Sequence, residues 1–230
     1  MIFRRDFKKL INNSKHVKIS YKQKFLLNSS RREIIKQFKI FCEFNDSKIE
    51  NDLRILTIHI RSGDIFKGKV HPSYGQPPLC YYKEAINHYK PDSVELVYEN
   101  DVNPTIPALI NHLESKSIKY NTFSSKNLRD DINVLLRAKA LVVGIGTFAK
   151  GIITLSDNVE TFYSFQVRFV GPFVSSESTK LYPKGIMIYD KKGLYKTKIL
   201  SRNWRNSLEQ RNLMLQYDAE NLSIEAYRRL

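Results

Sequence analysis

From Ile55 onward, short apolar runs alternate with longer segments whose apolar positions recur at helical spacing. Ile55, Leu56, Thr57, Ile58 and Ile60 form a near-continuous apolar, β-branched run, the pattern of a strand buried on both faces of a parallel sheet. Ser93–Tyr98, Ile118–Phe123 and Ala140–Ile145 read as further strands, and Glu160–Val167 and Gly185–Tyr189 each as one more. Between them, Leu79–Lys90 reads as a helix opened by prolines and closed before Pro91. Pro104–Lys116, Asn127–Lys139 and Ala149–Leu155 are also helical. Arg31–Phe44 is a helix ahead of the first strand, and Arg202–Tyr217 is a closing amphipathic helix carrying Trp204. Strand–helix units at these intervals predict an α/β fold with right-handed crossovers and a parallel sheet. The chain then divides into a helical extension over 1–50, a sheet domain over 51–200 and a C-terminal helix over 201–230 packed on it.

The first strand ends in a polar cluster: His59, Arg61, Gly63 and Asp64 in the stretch HIRSGD. In an open α/β sheet, ligands bind outside the carboxyl ends of the strands. An arginine there offers a planar fork of donors to a phosphate or carboxylate. Gly63 permits a sharp turn or a close backbone approach to a ligand, and Asp64 can hold the arginine or accept from loop amides. The same residues also fit a plain structural reading, a core histidine followed by an Arg–Asp ion pair.

A second strand end, Gly144–Phe148, is a glycine-rich turn into a helix. Thr147 is expected as its N-cap, and exposed helix-start amides suit a phosphate. It does not match the dinucleotide pattern G-x-G-x-x-G, and no P-loop GK[ST] is present. Glu99 and Asp101 end a third strand and also read as an ordinary acidic loop. The loop His71–Pro78 (HPSYGQPP) either brings His71, Tyr74 and Gln76 to a ligand or stiffens a crossover through its prolines.

Composition narrows the partners. The chain of 230 residues has 38 Lys+Arg against 23 Asp+Glu, a net charge of +15. That field favours polyanions, from nucleotide sugars to an anionic membrane surface. The charge is dispersed, and no RRM, KH or zinc-finger pattern supports nucleic-acid binding. There is no apolar run of eighteen residues, the opening stretch MIFRRDFKKLI reads as too charged and too short in apolar run for a secretory signal, and the two cysteines, Cys42 and Cys80, suggest neither a disulfide framework nor a metal site. A cytoplasmic location is expected.

HIRSGD resembles the H-x-R-x-G-D motif of the fucosyltransferase superfamily, especially the α-1,2-fucosyltransferases and more distantly the α-1,6- and protein O-fucosyltransferases. Tyr81-Tyr82 with Lys83, Ala85 and Ile86 resembles the family's YY-x-x-A-I helix. Tyr98–Asp101, Asp131 with Leu135 and the strand to Gly144, and Gly146-Thr147-Phe148-Ala149 resemble later family stretches in order. The resemblance spans about residues 31–156. It implies a GT-B fold, with this chain as the Rossmann-like, donor-binding half. It further implies transfer of a sugar, fucose above all, from a GDP-sugar to a glycan acceptor, without metal or cofactor. Arg61 would grip the β-phosphate together with the Gly146-Thr147-Phe148 turn. His59, Gly63 and Asp64 would shape the pocket, and Asp101 or Asp131 would meet guanine or ribose. Asp64, Glu84 and His71 are all candidates for a general base. The alternative is a non-catalytic nucleotide- or glycan-binding remnant of such a domain. Homo-oligomerisation and membrane-surface association are left open.

Overall fold

The computed structural model describes residues 53–68, 70–124, 127–166 and 183–227. All of them fall in the compact unit Phe44–Gly171 with Thr179–Leu230. The helix expected over 31–44 and the extension over 1–50 lie outside the described residues.

Seven strands form one sheet: β1 (Ile55–His59), β2 (Ser93–Val97), β3 (Lys119–Phe123), β4 (Ala140–Val142), β5 (Thr161–Phe165), β6 (Lys184–Asp190) and β7 (Leu222–Tyr227). Their order across the sheet is β3-β2-β1-β4-β5-β6-β7. The first six run parallel, and β7 is antiparallel to β6. The fold is α/β with a largely parallel sheet, as the periodicity predicts, and the sheet is Rossmann-like, as the resemblance implies. Chain order reverses direction between β1 and β4, so the crevice beside their carboxyl ends is the topological switch point.

The helices are α1 (Leu79–Tyr89), α2 (Thr105–Ser115), α3 (Leu128–Arg137), α4 (Thr147–Leu155), α5 (Leu194–Lys198) and α6 (Leu208–Gln216). Alternate residues of β4 face opposite layers. Ala140 and Val142 join the core that includes α1, α2 and Met214 of α6, while Leu141 and Val143 join the core of α3 and α4. Burial on both faces is why these strands read as apolar runs with little alternation. Burying Leu56, Leu96 or Leu141 stabilises the fold by ~1.5–3 kcal/mol each.

The C-terminal region departs from expectation. The helix predicted over 202–217 forms only over Leu208–Gln216, and Trp204 lies in the loop before it. Ser207 starts the helix through a capping box with Gln210, satisfying amides at both ends of the motif. Beyond it, Leu222–Tyr227 is a strand that extends the sheet. No helix among the described residues is long and apolar enough to cross a membrane.

Candidate functional site

The loop after β1 is fixed by hydrogen bonds to the loop after β2. Asn100 Oδ1 accepts from Ser62 Oγ at 2.8 Å, from Gly63 N at 3.2 Å and from Val102 N at 3.3 Å. Asn103 Nδ2 donates to Arg61 O at 2.8 Å, and Asn103 N donates to Ser62 Oγ at 3.1 Å. Two asparagines and a buried serine thus set the backbone that carries Arg61. Because Asn accepts and donates at one short side chain, it can tie two loops without a charge.

Gly63 adopts φ 74, a left-handed backbone that only glycine takes without strain. A Cβ there would come within 2.2 Å of Glu99 Oε2, so the glycine makes room for the exposed Glu99 carboxylate. Asp64 follows in the short 3-10 turn Gly63–Phe66, two-thirds exposed, with Oδ1 3.4 Å from Arg61 Nη2. Asp101 is exposed in the loop after β2. Asp131 lies in the first turn of α3, half-buried. Glu84 sits within α1, where its carboxylate accepts from Asn87.

Across the switch point, the loop after β4 meets the loop after β1. A Cβ built on Gly146 would stand 4.0 Å from Arg61 Nη1. The His59 and Phe148 rings lie 4.9 Å apart between centroids. Gly146, at φ 141, is the N-cap of α4, and Thr147 is the first helical residue. The expectation that Thr147 caps the helix is therefore corrected: the turn needs a backbone conformation that a β-branched residue resists, and glycine supplies it. Gly144 stands just before, with Gln76 Oε1 and Tyr82 Oη 3.6 and 3.9 Å from its Cβ position. Both atoms are buried without a hydrogen-bond partner among the described residues.

The electrostatics favour an anion. Burial, and secondarily the Arg61 guanidinium, pull the His59 pKa down to about 4, so the imidazole is neutral at pH 7. The Arg61 side chain is one-fifth exposed and its planar fork lies beside the start of α4, whose first amides lack helical acceptors. Among the described residues, no group of three His, Cys, Asp or Glu side chains could hold a metal ion.

The structure thus gathers His59, Arg61, Gly63, Asp64, Gly146 and Phe148 at the facing ends of β1 and β4. The sequence reading missed Ser62, Asn100 and Asn103; their signal is an Asn at each end of a short loop whose neighbours are strand and helix ends. It placed Trp204 on a helix; the residue is wholly buried in the preceding loop and donates from Nε1 to Ile65 O at 2.9 Å, while Asn206 Nδ2 donates to Phe66 O at 2.9 Å.

No family model matches this chain, and no curated protein matches it. Among solved structures, it is similar to one described as the crystal structure of POFUT1 in complex with GDP-fucose, at 12% identity and a TM-score of 0.35. That match covers 60% of this chain and 46% of the other, so this chain spans about half the length of the structure it resembles. The α/β assignment accordingly rests on strand order and register.

Proposed function

We propose that this chain is a glycosyltransferase domain of fucosyltransferase type that binds the diphosphate of a GDP-sugar at the β1–β4 switch point. One observation carries the reading: Arg61 Nη1 lies 4.0 Å from the Cβ position of Gly146, which puts the guanidinium against the start of α4. The HIRSGD motif supports it by resemblance. Cleaving a sugar–phosphate bond builds negative charge on the departing diphosphate, and preorganised donors at that point lower the barrier. Arg61 supplies the charged fork, the α4 start supplies amides, and Asp64 orients the guanidinium through its 3.4 Å contact. Asp101 and Asp131 are the acidic candidates for guanine or ribose, and a glycan hydroxyl is the acceptor class.

Calorimetry with GDP, GDP-fucose and UDP-sugars tests the proposal. GDP and GDP-fucose are expected to bind, and Arg61→Ala is expected to abolish the heat. Silence with every nucleotide, or unchanged affinity in Arg61→Ala, overturns it. Transfer or hydrolysis of the bound sugar nucleotide then separates an enzyme from a binding domain.

A further inference from the structure

The Arg61 guanidinium is packed on an aromatic ring. Its Cζ lies over Tyr74, 4.3 Å from the ring centroid. Tyr74 belongs to the loop His71–Pro78, whose tyrosine takes no part in the diphosphate grip proposed above. That loop is anchored along its length. Tyr74 N donates to His71 O at 3.1 Å, and Gln76 Nε2 donates back to Tyr74 O at 3.0 Å. Trp204 N donates to Pro72 O at 3.1 Å, and buried Tyr195 donates from Oη to Gln76 O at 2.7 Å. Gly75 lies so close to Ile199 O that a Cβ would stand 2.3 Å from it. The His71 ring sits 5.0 Å from the Tyr74 ring between centroids, tilted by 46°. These hydrogen bonds fix the backbone from which the Tyr74 ring projects.

We propose that Tyr74 is the positioning residue for Arg61: its fixed face holds the guanidinium flat, leaving Nη2 to Asp64 and Nη1 to the ligand beside Gly146. The role rests on the reading of Arg61 as the diphosphate grip. An arginine side chain has several rotatable bonds, and each donor it presents costs entropy unless the fork is already oriented. Stacking on an aromatic face removes that freedom and leaves all the N–H groups in the plane available, because the ring contacts the face and not the edge. The phenol oxygen is not needed, so phenylalanine should serve as well as tyrosine.

The test compares wild type, Tyr74→Phe and Tyr74→Leu by GDP calorimetry and by the Arg61 Nε–Hε resonance, assigned by its loss in Arg61→Lys. Melting temperature serves as the folding check. The ring should shift the Arg61 Hε resonance upfield in wild type and Tyr74→Phe, and the shift should vanish in Tyr74→Leu. GDP affinity should hold within about twofold in Tyr74→Phe and fall by ~3- to 30-fold in Tyr74→Leu, the range a stacked cation supports. GDP binding that is intact in wild type but insensitive to Tyr74→Leu overturns the positioning role alone. An unshifted Arg61 resonance in wild type also overturns it. A wild-type chain with the shifted resonance but no GDP binding overturns the nucleotide reading and this role with it.

Discussion

The Glu99 carboxylate fills the space that a side chain on Gly63 would need, with Oε2 2.2 Å from the Cβ position. Two effects therefore oppose Gly63→Ala, a left-handed backbone at φ 74 and a steric collision. Glu99 is exposed and its carboxylate end can swing aside, so the backbone term should dominate. Gly63→Ala is expected to cost ~1–3 kcal/mol. The same cost, within ~0.5 kcal/mol, is expected in a Glu99→Ala background by denaturant unfolding. A cost that vanishes in that background would assign the effect to the collision instead.

Arg61→Lys keeps the charge and loses the fork. A diphosphate held by paired N–H groups should then bind roughly 10- to 100-fold more weakly to the lysine variant, and Arg61→Ala should be weaker still. Titration with GDP reads both. Equal affinity for Arg and Lys would mean that only net positive charge matters at this position.

Tyr81 and Tyr82 are adjacent, wholly buried and unlike in their hydroxyls. Tyr81 Oη donates to Val143 O at 2.8 Å, so Tyr81→Phe leaves a buried carbonyl short of a partner. It should cost ~1–2 kcal/mol. Tyr82 Oη has no partner among the described residues, so Tyr82→Phe should be neutral or stabilising by up to ~1 kcal/mol. Thermal melts of the two variants compare them directly. A loss of stability in Tyr82→Phe would place a bound water or ligand atom on that hydroxyl beside Gly144.

His59 sets an acid limit. Its folded pKa of about 4 lies below the unfolded value of 6.5, so the unfolded chain binds more protons between those values. Stability from the neutral imidazole is complete above pH 6.5 and is lost as pH falls toward 4. The loss approaches ~3 kcal/mol at the bottom of that window. Urea unfolding at pH 7 and pH 4.5 should show a smaller drop for His59→Gln than for wild type. Parallel drops would mean that His59 titrates normally.

The sheet was legible because its central strands β1 and β4 are apolar on both faces and α1, α2 and α3 each carry one apolar stripe. Ile55–Ile60 and Ala140–Ile145 could hardly be anything but buried strands, and their connections required a parallel sheet. The convergence of Arg61 on the Gly144–Phe148 turn was readable for the same reason, since both lie at carboxyl ends of strands. What failed was local. Leu194–Lys198 is too short and too polar to show a stripe, and Leu222–Tyr227 (LSIEAY), which alternates apolar and polar positions from Leu222 to Ala226, was absorbed into the helical segment assigned over 201–230. Trp204, flanked by Arg202, Asn203, Arg205 and Asn206, was drawn into a helix whose other apolar positions begin only at Leu208, although the Ser207–Gln210 capping box marked the later start. The stacking of Tyr74 on Arg61 joins a loop to a strand end through space, and no sequence period encodes such a contact.

Trp204, Asn206 and Tyr195 reach back 139, 140 and 119 positions to Ile65, Phe66 and Gln76. During synthesis, the HIRSGD turn and its partners Asn100 and Asn103 therefore leave the ribosome long before the residues that hold Ile65, Phe66 and Gln76 just behind it. Closure over such distances is slow, so the pocket should mature last, after the parallel strands have zipped together. Ligand recognition would then report on completed folding of the whole sheet domain, and a nascent chain that stalls before Asn206 would carry every motif residue and still bind nothing.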